Sequence, residues 1–266
     1  MIGFYERGTM QSVRRALVIL LVTLAVIYIA ICAALFAFQR SLVYFPQPRS
    51  NNMGITLMTL PVGADSVLVS MRPNAGRNAV IYFGGNAEDV SQEMPDFAAT
   101  FPDDAIYLLH YPGYGGSSGK PTEQSISAAA LSLYDRVHAE HQNIVLVGRS
   151  LGSGVAVRLA SLRPVSRLVL VTPYDSLTDP AARQFPYFPV RLLALDRFDS
   201  WKYAPKVTAP TRIIVAEDDE IIPRSSTERL RTRFSKDIVS EVVVPGAGHN
   251  TISDSPNYWS LLKGEQ

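Results

Sequence analysis

Residues 144–152 read IVLVGRSLG, a short apolar run followed by a serine between two glycines. A helix-compatible stretch, 155–162, comes directly after it. This pattern predicts a strand, a sharp turn and a helix, with the Oγ atom of Ser150 held out above the sheet. Gly148 and Gly152 are needed beside it, because a Cβ atom at either position would collide with the adjoining strand or helix. Ser150 is therefore a candidate nucleophile, and a glycine-serine loop without chemistry is the alternative.

Two later segments offer the acid and the base that a serine hydroxyl needs to become a nucleophile at neutral pH. The segment 212–216 reads as a buried strand and is followed by four carboxylates, 217–220. A later apolar run leads into a glycine-rich loop with His249. In this kind of sheet the nucleophile, the acid and the base follow one another along the chain. His249 is the predicted base, and Asp218 and Asp219 are both candidates for the acid. The alternatives are a solvated turn for the two aspartates and a loop residue without a catalytic role for His249.

Acyl transfer also requires two backbone N–H groups aimed at the oxyanion that develops on the substrate. The first predicted donor is Leu151, which follows the nucleophile at a helix N-terminus, where the helix dipole favours negative charge. The second is Asn86, in the turn GGNA at 84–87 after the apolar run 80–83. The alternative for that turn is a tight strand-to-helix connection with no further role.

Several blocks, in this order along the chain, resemble the serine hydrolases with the α/β-hydrolase fold. Within them they resemble the Bem46-like group, which includes the membrane-tethered ABHD13 and ABHD17 types. The blocks are LVYFP at 42–46, YFGGNA at 82–87, YPGYGGS at 111–117 with GKPTE at 119–123, GRSLG at 148–152, the stretch 188–200, and the segments that carry Asp219 and His249.

This resemblance implies roles for individual residues. Ser150 would be the nucleophile, Asp219 the acid and His249 the base, with the backbones of Asn86 and Leu151 holding the oxyanion. The spacing to Pro223 favours Asp219 over Asp218.

The chain departs from the family pattern at two positions. Gly84 stands where the family often has a histidine, and His110 stands where an aspartate is common. The glycine removes a side chain that helps to hold the oxyanion loop in place.

An uncharged apolar segment, 16–38, lies near the N-terminus. At about 1.5 Å per helical residue it is long enough to cross a hydrocarbon core of about 30 Å, and we expect a transmembrane anchor. Arg14 and Arg15 directly precede it, which favours a cytoplasmic N-terminus, 1–15, and a catalytic domain, 39–266, outside the cytoplasm. In a bacterium that compartment would be the periplasm. A cleaved signal peptide is the alternative, although its apolar region usually has only about 7–15 residues.

Apolar runs alternate with helical patterns along the rest of the chain. The segments 55–60 and 67–72 are expected to form antiparallel strands, and 105–109 and 168–171 parallel core strands, with Thr122 as the N-cap of a helix that runs to His141. Such alternation predicts the α/β class, with a mostly parallel sheet covered by helices on both faces. The resemblance makes this the α/β-hydrolase fold.

A segment rich in proline and aromatic residues, 173–210, falls between two predicted core strands and is the expected cap over the site. Five of its side chains could line an acyl pocket, or could equally pack the cap onto the core. They are Pro186, Tyr187, Phe188, Pro189 and Leu192.

Composition excludes several classes of function. The net charge of +1 gives no strong attraction to nucleic acid. The sole cysteine, Cys32, excludes a disulfide within the chain and a cysteine-based metal site.

His138 and His141 end a polar helix without a third ligand in sight, so we expect solvated surface there. Arg149 is expected to pair with a carboxylate, the alternative being an anionic substrate.

These observations predict a membrane-anchored serine hydrolase that cleaves esters or thioesters through an acyl-enzyme on Ser150, with no metal or organic cofactor. Its partners would be a small-molecule, lipid or acylated substrate and the membrane, and no nucleic acid. Two alternatives are an amide or peptide hydrolase with the same three residues and a non-enzymatic membrane scaffold. The acyl chain, the leaving group and the oligomeric state are left open.

Overall fold

The computed structural model describes residues 2–50 and 55–264, with side chains from residue 12 onward. The chain forms two compact units, Met1–Leu42 and Val43–Gln266. Helix α1, Ile2–Val43, makes up almost all of the first unit. Its part from Ser12 to Val43 contains an 18-residue window with a mean hydropathy of 3.0, so it is long and apolar enough to cross a membrane. Signal sequences share these properties.

Strands and helices alternate along the second unit. The strands are β1 Thr56–Val62, β2 Asp65–Arg72, β3 Asn78–Phe83, β4 Ala105–Leu109, β5 Asn143–Arg149, β6 Arg167–Val171, β7 Thr211–Ala216 and β8 Val239–Val244. The α-helices are α2 Met94–Thr100, α3 Glu123–His138, α4 Leu151–Ala160, α5 Thr178–Gln184, α6 Val190–Leu193, α7 Ser200–Tyr203, α8 Arg224–Arg231 and α9 Tyr258–Lys263. Short 3₁₀ helices lie at Val90–Glu93, Ala204–Lys206 and Ile252–Asp254.

The eight strands form one sheet in the order β1-β2-β4-β3-β5-β6-β7-β8. Strand β2 runs antiparallel to β1 and β4, and every other neighbouring pair is parallel. The predicted α/β-hydrolase fold is confirmed, and so are the two antiparallel strands at its start.

Each face of the sheet has its own apolar core. Ile81 and Phe83 of β3 contribute to one core with α3, α4 and α8, whereas Val80 and Tyr82 contribute to the other with α2 and α9. Successive side chains of a strand point to opposite faces, which explains this division. Burial on both faces also explains why the central strands read as continuous apolar runs rather than as alternating ones.

The carboxyl ends of the parallel strands place the candidate site residues along one edge of the sheet. Strand β5 ends just before Ser150, β7 ends shortly before Asp219, and β8 leads into the loop with His249. Strand β3 ends at the turn that contains Asn86. The fold thus brings four separate segments of sequence to the same edge.

Helix α3 begins with the expected cap. The Thr122 hydroxyl accepts a hydrogen bond from the backbone N–H of Ser125, and the Ser125 hydroxyl accepts one from the N–H of Thr122. The helix ends at His138, three residues before the predicted end. The N-cap prediction is confirmed, and the C-terminal boundary is corrected.

His141 corrects a second expectation, because its side chain is buried rather than solvated. Its Nε2 atom lies 3.1 Å from the hydroxyl of Tyr107, and its Nδ1 atom lies 2.8 Å from the carbonyl oxygen of Gly76. Both ring nitrogens therefore have partners inside the fold. Among the described residues, no group of three or more His, Cys, Asp or Glu side chains could hold a metal ion.

The segment 173–210 contains the three short helices α5, α6 and α7. Tyr187 and Leu192 are 84% and 81% exposed, so packing onto the core is wrong for these two side chains. Tyr187 precedes α6, and Leu192 lies within it. This helix has a single turn, which is too short to present a buried face. The role of the segment as a cap over the site stays a prediction.

Candidate active site

Ser150 occupies the turn between β5 and α4 in a backbone conformation that side chains rarely adopt. Its φ is 49° and its ψ is −117°, and its N–H donates to the carbonyl oxygen of Val171 in β6 at 2.9 Å. A non-glycine residue with positive φ is sterically strained, and such strain is concentrated at functional sites. The turn therefore has the geometry of a nucleophile elbow.

The two glycines of the elbow have no space for a side chain. A Cβ atom on Gly152 would collide with the carbonyl group of Phe83 in β3. A Cβ atom on Gly148 would lie 2.5 Å from the carbonyl oxygen of Gly152. The expectation that a side chain here would strike the adjoining strand or helix is confirmed.

Ser150, His249 and Asp219 form one hydrogen-bonded chain. The Nε2 atom of His249 lies 2.9 Å from the Oγ atom of Ser150, and its Nδ1 atom lies 3.0 Å from each carboxylate oxygen of Asp219. The side chains of His249 and Asp219 are only 5% and 7% exposed, which shields their contact from water. This arrangement can take a proton from the serine and stabilise the imidazolium that results.

Backbone N–H groups orient the Asp219 carboxylate. Its Oδ1 atom accepts hydrogen bonds from the N–H groups of Ile221 at 3.0 Å and Ile222 at 2.7 Å. Asp218 contributes instead through its backbone N–H, which donates to the carbonyl oxygen of Ala247 at 2.9 Å, while the residue is exposed. The structure thus brings Asp219, and not Asp218, against His249.

Glu220 helps to hold the loop that carries His249, a role that was not predicted from the sequence. Its Oε2 atom accepts a hydrogen bond from the backbone N–H of His249 at 3.0 Å, and this bond lowers the pKa of Glu220. The carboxylate therefore ties the histidine loop to the loop after β7. The only signal in the sequence is its place beside Asp219, which does not reveal a partner 29 residues away.

The predicted oxyanion donors are the backbone N–H groups of Leu151 and Asn86. Leu151 is the first residue of α4, so its N–H has no acceptor in a preceding helical turn. The N–H of Gly85 donates to Glu88 at 2.8 Å and is therefore occupied. Among the hydrogen bonds of the described residues, none uses the N–H of the next residue, Asn86.

Hydrogen bonds to its carbonyl oxygen and from its side chain hold Asn86 in place. Its carbonyl oxygen accepts from the N–H of Phe45 at 3.0 Å and from the hydroxyl of Tyr114 at 2.7 Å. Its side-chain amide donates to the carbonyl oxygen of Val43 at 2.8 Å. These bonds fix the peptide plane that follows Asn86 and its side chain, and they hold the residue from its carboxyl side.

Arg149 pairs with a carboxylate, as predicted. Its Nη1 atom lies 3.4 Å from Oε2 of Glu88, and the two side chains are 15% and 11% exposed. Sequence reasoning did not identify Glu88 as the partner, because the two residues are 61 positions apart.

Comparison with known proteins gives the same assignment as the fold. The sequence model described as "Alpha/beta hydrolase family" matches residues 83–206. An uncharacterized protein of Mycobacterium tuberculosis is 33% identical over 229 residues, which cover 80% of each chain. Human alpha/beta hydrolase domain-containing protein 17B is 32% identical over 204 residues, which cover 74% of this chain and 68% of the human protein.

Solved structures with much lower identity share the fold. A Pyrococcus furiosus esterase superposes with a TM-score of 0.67 at 20% identity, covering 83% of this chain and 97% of its own. A thioesterase domain from the curacin biosynthetic pathway gives a TM-score of 0.60 at 14% identity, with 79% and 99% covered. The fold, the matching family model and relatives above 30% identity agree. The chain belongs to the alpha/beta hydrolase family.

Proposed function

We propose that this protein is a serine hydrolase that cleaves carboxylic esters or thioesters through an acyl-enzyme on Ser150. The observation that carries the proposal is the continuous hydrogen-bond chain from Ser150 through His249 to Asp219, at 2.9 and 3.0 Å. A serine hydroxyl needs a base within hydrogen-bond reach and a third group that orients the base, and this chain supplies both.

In the first half of the proposed reaction, Oγ of Ser150 attacks the substrate carbonyl carbon while Nε2 of His249 takes its proton. Asp219 accepts the Nδ1–H of the ring, which leaves Nε2 free to act as the base. The N–H groups of Leu151 and Asn86 bind the oxyanion of the tetrahedral intermediate. His249 then gives its proton to the departing alcohol or thiol, and the acyl group remains on the serine.

In the second half, water attacks the acyl-enzyme by the same route. His249 takes a proton from the water, the oxyanion forms again between Leu151 and Asn86, and the ester bond to Ser150 breaks as the proton returns to its oxygen. Every proton transfer uses a group of this chain, so the proposed mechanism requires no metal or organic cofactor.

We place the protein in the Bem46-like group of the family. The ordered sequence blocks and the 32% identity to human alpha/beta hydrolase domain-containing protein 17B support this placement. The proposed substrates are accordingly small-molecule esters, lipids or acylated molecules. A net charge of +1 gives no support for nucleic acid as a partner.

A hydrolysis panel tests this function on the full chain in mild detergent. It compares p-nitrophenyl esters, an acyl thioester and an aminoacyl p-nitroanilide, with wild type, Ser150→Ala and Ser161→Ala. Ser161 is the matched control, since it lies at the far end of α4. We expect ester or thioester cleavage by wild type and by Ser161→Ala, and none by Ser150→Ala. Cleavage of the anilide that equals or exceeds ester cleavage would assign an amide hydrolase instead.

We further propose that α1 anchors the protein in a membrane with its N-terminus in the cytoplasm and the catalytic domain outside. Its hydropathy and the arginines before it, Arg14 and Arg15, support this orientation. Two C-terminal fusions test it, one to a reporter that is active only after export and one to a reporter that is active only in the cytoplasm. Activity of the exported reporter alone is expected, and activity of the cytoplasmic reporter alone would reverse the orientation.

A further inference from the structure

The turn that carries Asn86 has no side chains at its first two positions, Gly84 and Gly85, that could hold it in place. The backbone of this turn nevertheless forms hydrogen bonds at both residues. The hydroxyl of Tyr111 donates to the carbonyl oxygen of Gly84 at 2.8 Å, and the N–H of Gly85 donates to Oε2 of Glu88 at 2.8 Å. The N–H of Gly85, which Glu88 binds, immediately precedes the N–H of Asn86 along the backbone. The bond to Glu88 therefore constrains the orientation of the Asn86 donor.

The Glu88 carboxylate joins three parts of the site. Its Oε1 atom accepts from the hydroxyl of Tyr82 in β3 at 2.6 Å, and its Oε2 atom accepts from both Gly85 and Arg149. Arg149 directly precedes Ser150. One carboxylate thus connects strand β3, the turn with the predicted oxyanion donor, and the last residue of β5, which directly precedes the nucleophile.

The missing side chain at Gly84 makes room for this carboxylate. An ideal Cβ atom on Gly84 would lie 3.0 Å from Cδ and from Oε1 of Glu88, and 2.5 Å from Cγ1 of Val90. Any larger residue would displace these groups. The glycine at 84 and the glutamate at 88 therefore belong together in this chain.

The Glu88 carboxylate is largely buried beside a cation. Its side chain is 11% exposed, and it contacts the guanidinium of Arg149 at 3.4 Å. Glu93 lies in the same region, where burial first and then the charge of Glu88 raise its pKa to about 7. Its surroundings and the bond from Gly85 therefore hold the Glu88 side chain in one position.

From these contacts we infer that Glu88 is a positioning residue for the oxyanion site. Its carboxylate holds the N–H of Gly85, and the peptide that follows keeps the N–H of Asn86 aimed at the oxyanion. Glu88 contacts no substrate and takes no proton. The inference rests on the proposed acyl transfer, and it concerns the tetrahedral intermediate rather than substrate binding.

Two conservative substitutions of Glu88 separate the effect of its side-chain length from the effect of its charge. Glu88→Gln keeps an oxygen at the same distance from Gly85 but removes the charge, whereas Glu88→Asp keeps the charge but is one methylene too short. Because the loss of an oxyanion donor costs about 100- to 1,000-fold in kcat, a misdirected donor should cost about 10- to 100-fold. We expect this loss in Glu88→Asp with KM within about threefold, and we expect Glu88→Gln to keep at least about a third of wild-type kcat.

The measurements are kcat and KM for p-nitrophenyl butyrate and the rate of labelling by a fluorophosphonate, with Glu93→Gln as the control from the same region. Both rates should fall together in Glu88→Asp and stay within about threefold of wild type in Glu93→Gln. Wild-type rates in Glu88→Asp, or a larger loss in Glu88→Gln than in Glu88→Asp, would overturn the inference. Activity that survives in Ser150→Ala would overturn the proposed function itself, so the two failures are distinguishable.

Discussion

His249 reaches Ser150 across two intervening strands, with its Nε2 atom 2.9 Å from the serine Oγ. Strands β5 and β8 are three positions apart in the sheet, which at about 4.8 Å per strand is about 14 Å. The loop after β8 must therefore fold back over the ends of β7 and β6. Its contacts with the loop after β7, from Ala247 to Asp218 and from His249 to Glu220, hold it in that position.

The first prediction distinguishes the two neighbouring aspartates. Asp219→Asn should lower kcat about 1,000- to 10,000-fold with little change in KM, because the amide no longer favours the tautomer that leaves Nε2 of His249 free. Asp218→Asn is the matched control and should stay near wild type, since its backbone N–H makes the contact with Ala247. Steady-state kinetics on an ester check both, and a larger loss in Asp218→Asn would refute the assignment.

The second prediction concerns the close contact at the elbow. Gly152→Ala should destabilise the fold by about 2–4 kcal/mol, because its new methyl group would collide with the backbone of Phe83. Gly76→Ala is the control, since an ideal Cβ atom there has no neighbour closer than 3.6 Å. Thermal unfolding measures the difference. Equal melting temperatures for the two variants would contradict the packing at the elbow.

The third prediction is a pH dependence from His110, whose ring is buried and lies 2.8 Å from the Ser70 hydroxyl. Burial lowers the pKa of His110 to about 4. The unfolded chain therefore binds more protons between about pH 6.5 and 4, and the free energy of unfolding falls as the pH is lowered through this range. We expect His110 to contribute about 1–3 kcal/mol to that loss.

Unfolding at pH 7 and pH 5 checks this contribution. His110→Asn should be less stable than wild type at pH 7 and should lose less stability on acidification. His138→Asn serves as the control, because its ring lies on the surface, and it should follow the wild-type pH dependence. A His110→Asn variant with the wild-type slope would show that another group causes the acid sensitivity.

The fourth prediction tests the cap of α3. Thr122→Ala should lower stability by about 1 kcal/mol, because it leaves the N–H of Ser125 without its acceptor. Ser125→Ala should cost a similar amount. Since the two hydroxyls serve each other's backbone N–H groups, the double variant should lose less than the sum of the single losses. Strictly additive melting data would be evidence against the reciprocal cap.

Much of the site could be predicted because each residue follows a recognisable strand. Ser150, Asp219 and His249 come after apolar runs, and the carboxyl ends of parallel strands meet at one edge of a sheet. Asn86 follows from the same rule through β3. The sequence alone did not separate Asp218 from Asp219, because neighbouring loop residues differ only in the direction of their side chains. That choice depended on family resemblance, and the contact with His249 agrees with it.

Other features could not be predicted because they depend on distant partners. The burial of His141 depends on Tyr107 and Gly76, which are 34 and 65 positions away. The position of Glu88 depends on the space left by Gly84 and on the path of Arg149. Such pairings leave no periodic pattern in the sequence, so a charged residue in a loop reads as solvated surface until the fold is known.

Peptide mapping of a covalent adduct identifies the nucleophile of this protein. The full chain in mild detergent is treated with a fluorophosphonate, digested and analysed by mass spectrometry, with His249→Ala as a variant in which the nucleophile is present but not activated. We expect a single adduct on the Ser150 peptide in wild type and a large loss of that adduct in His249→Ala. Adduct formation on another residue, or undiminished labelling of the Ser150→Ala variant, would contradict it.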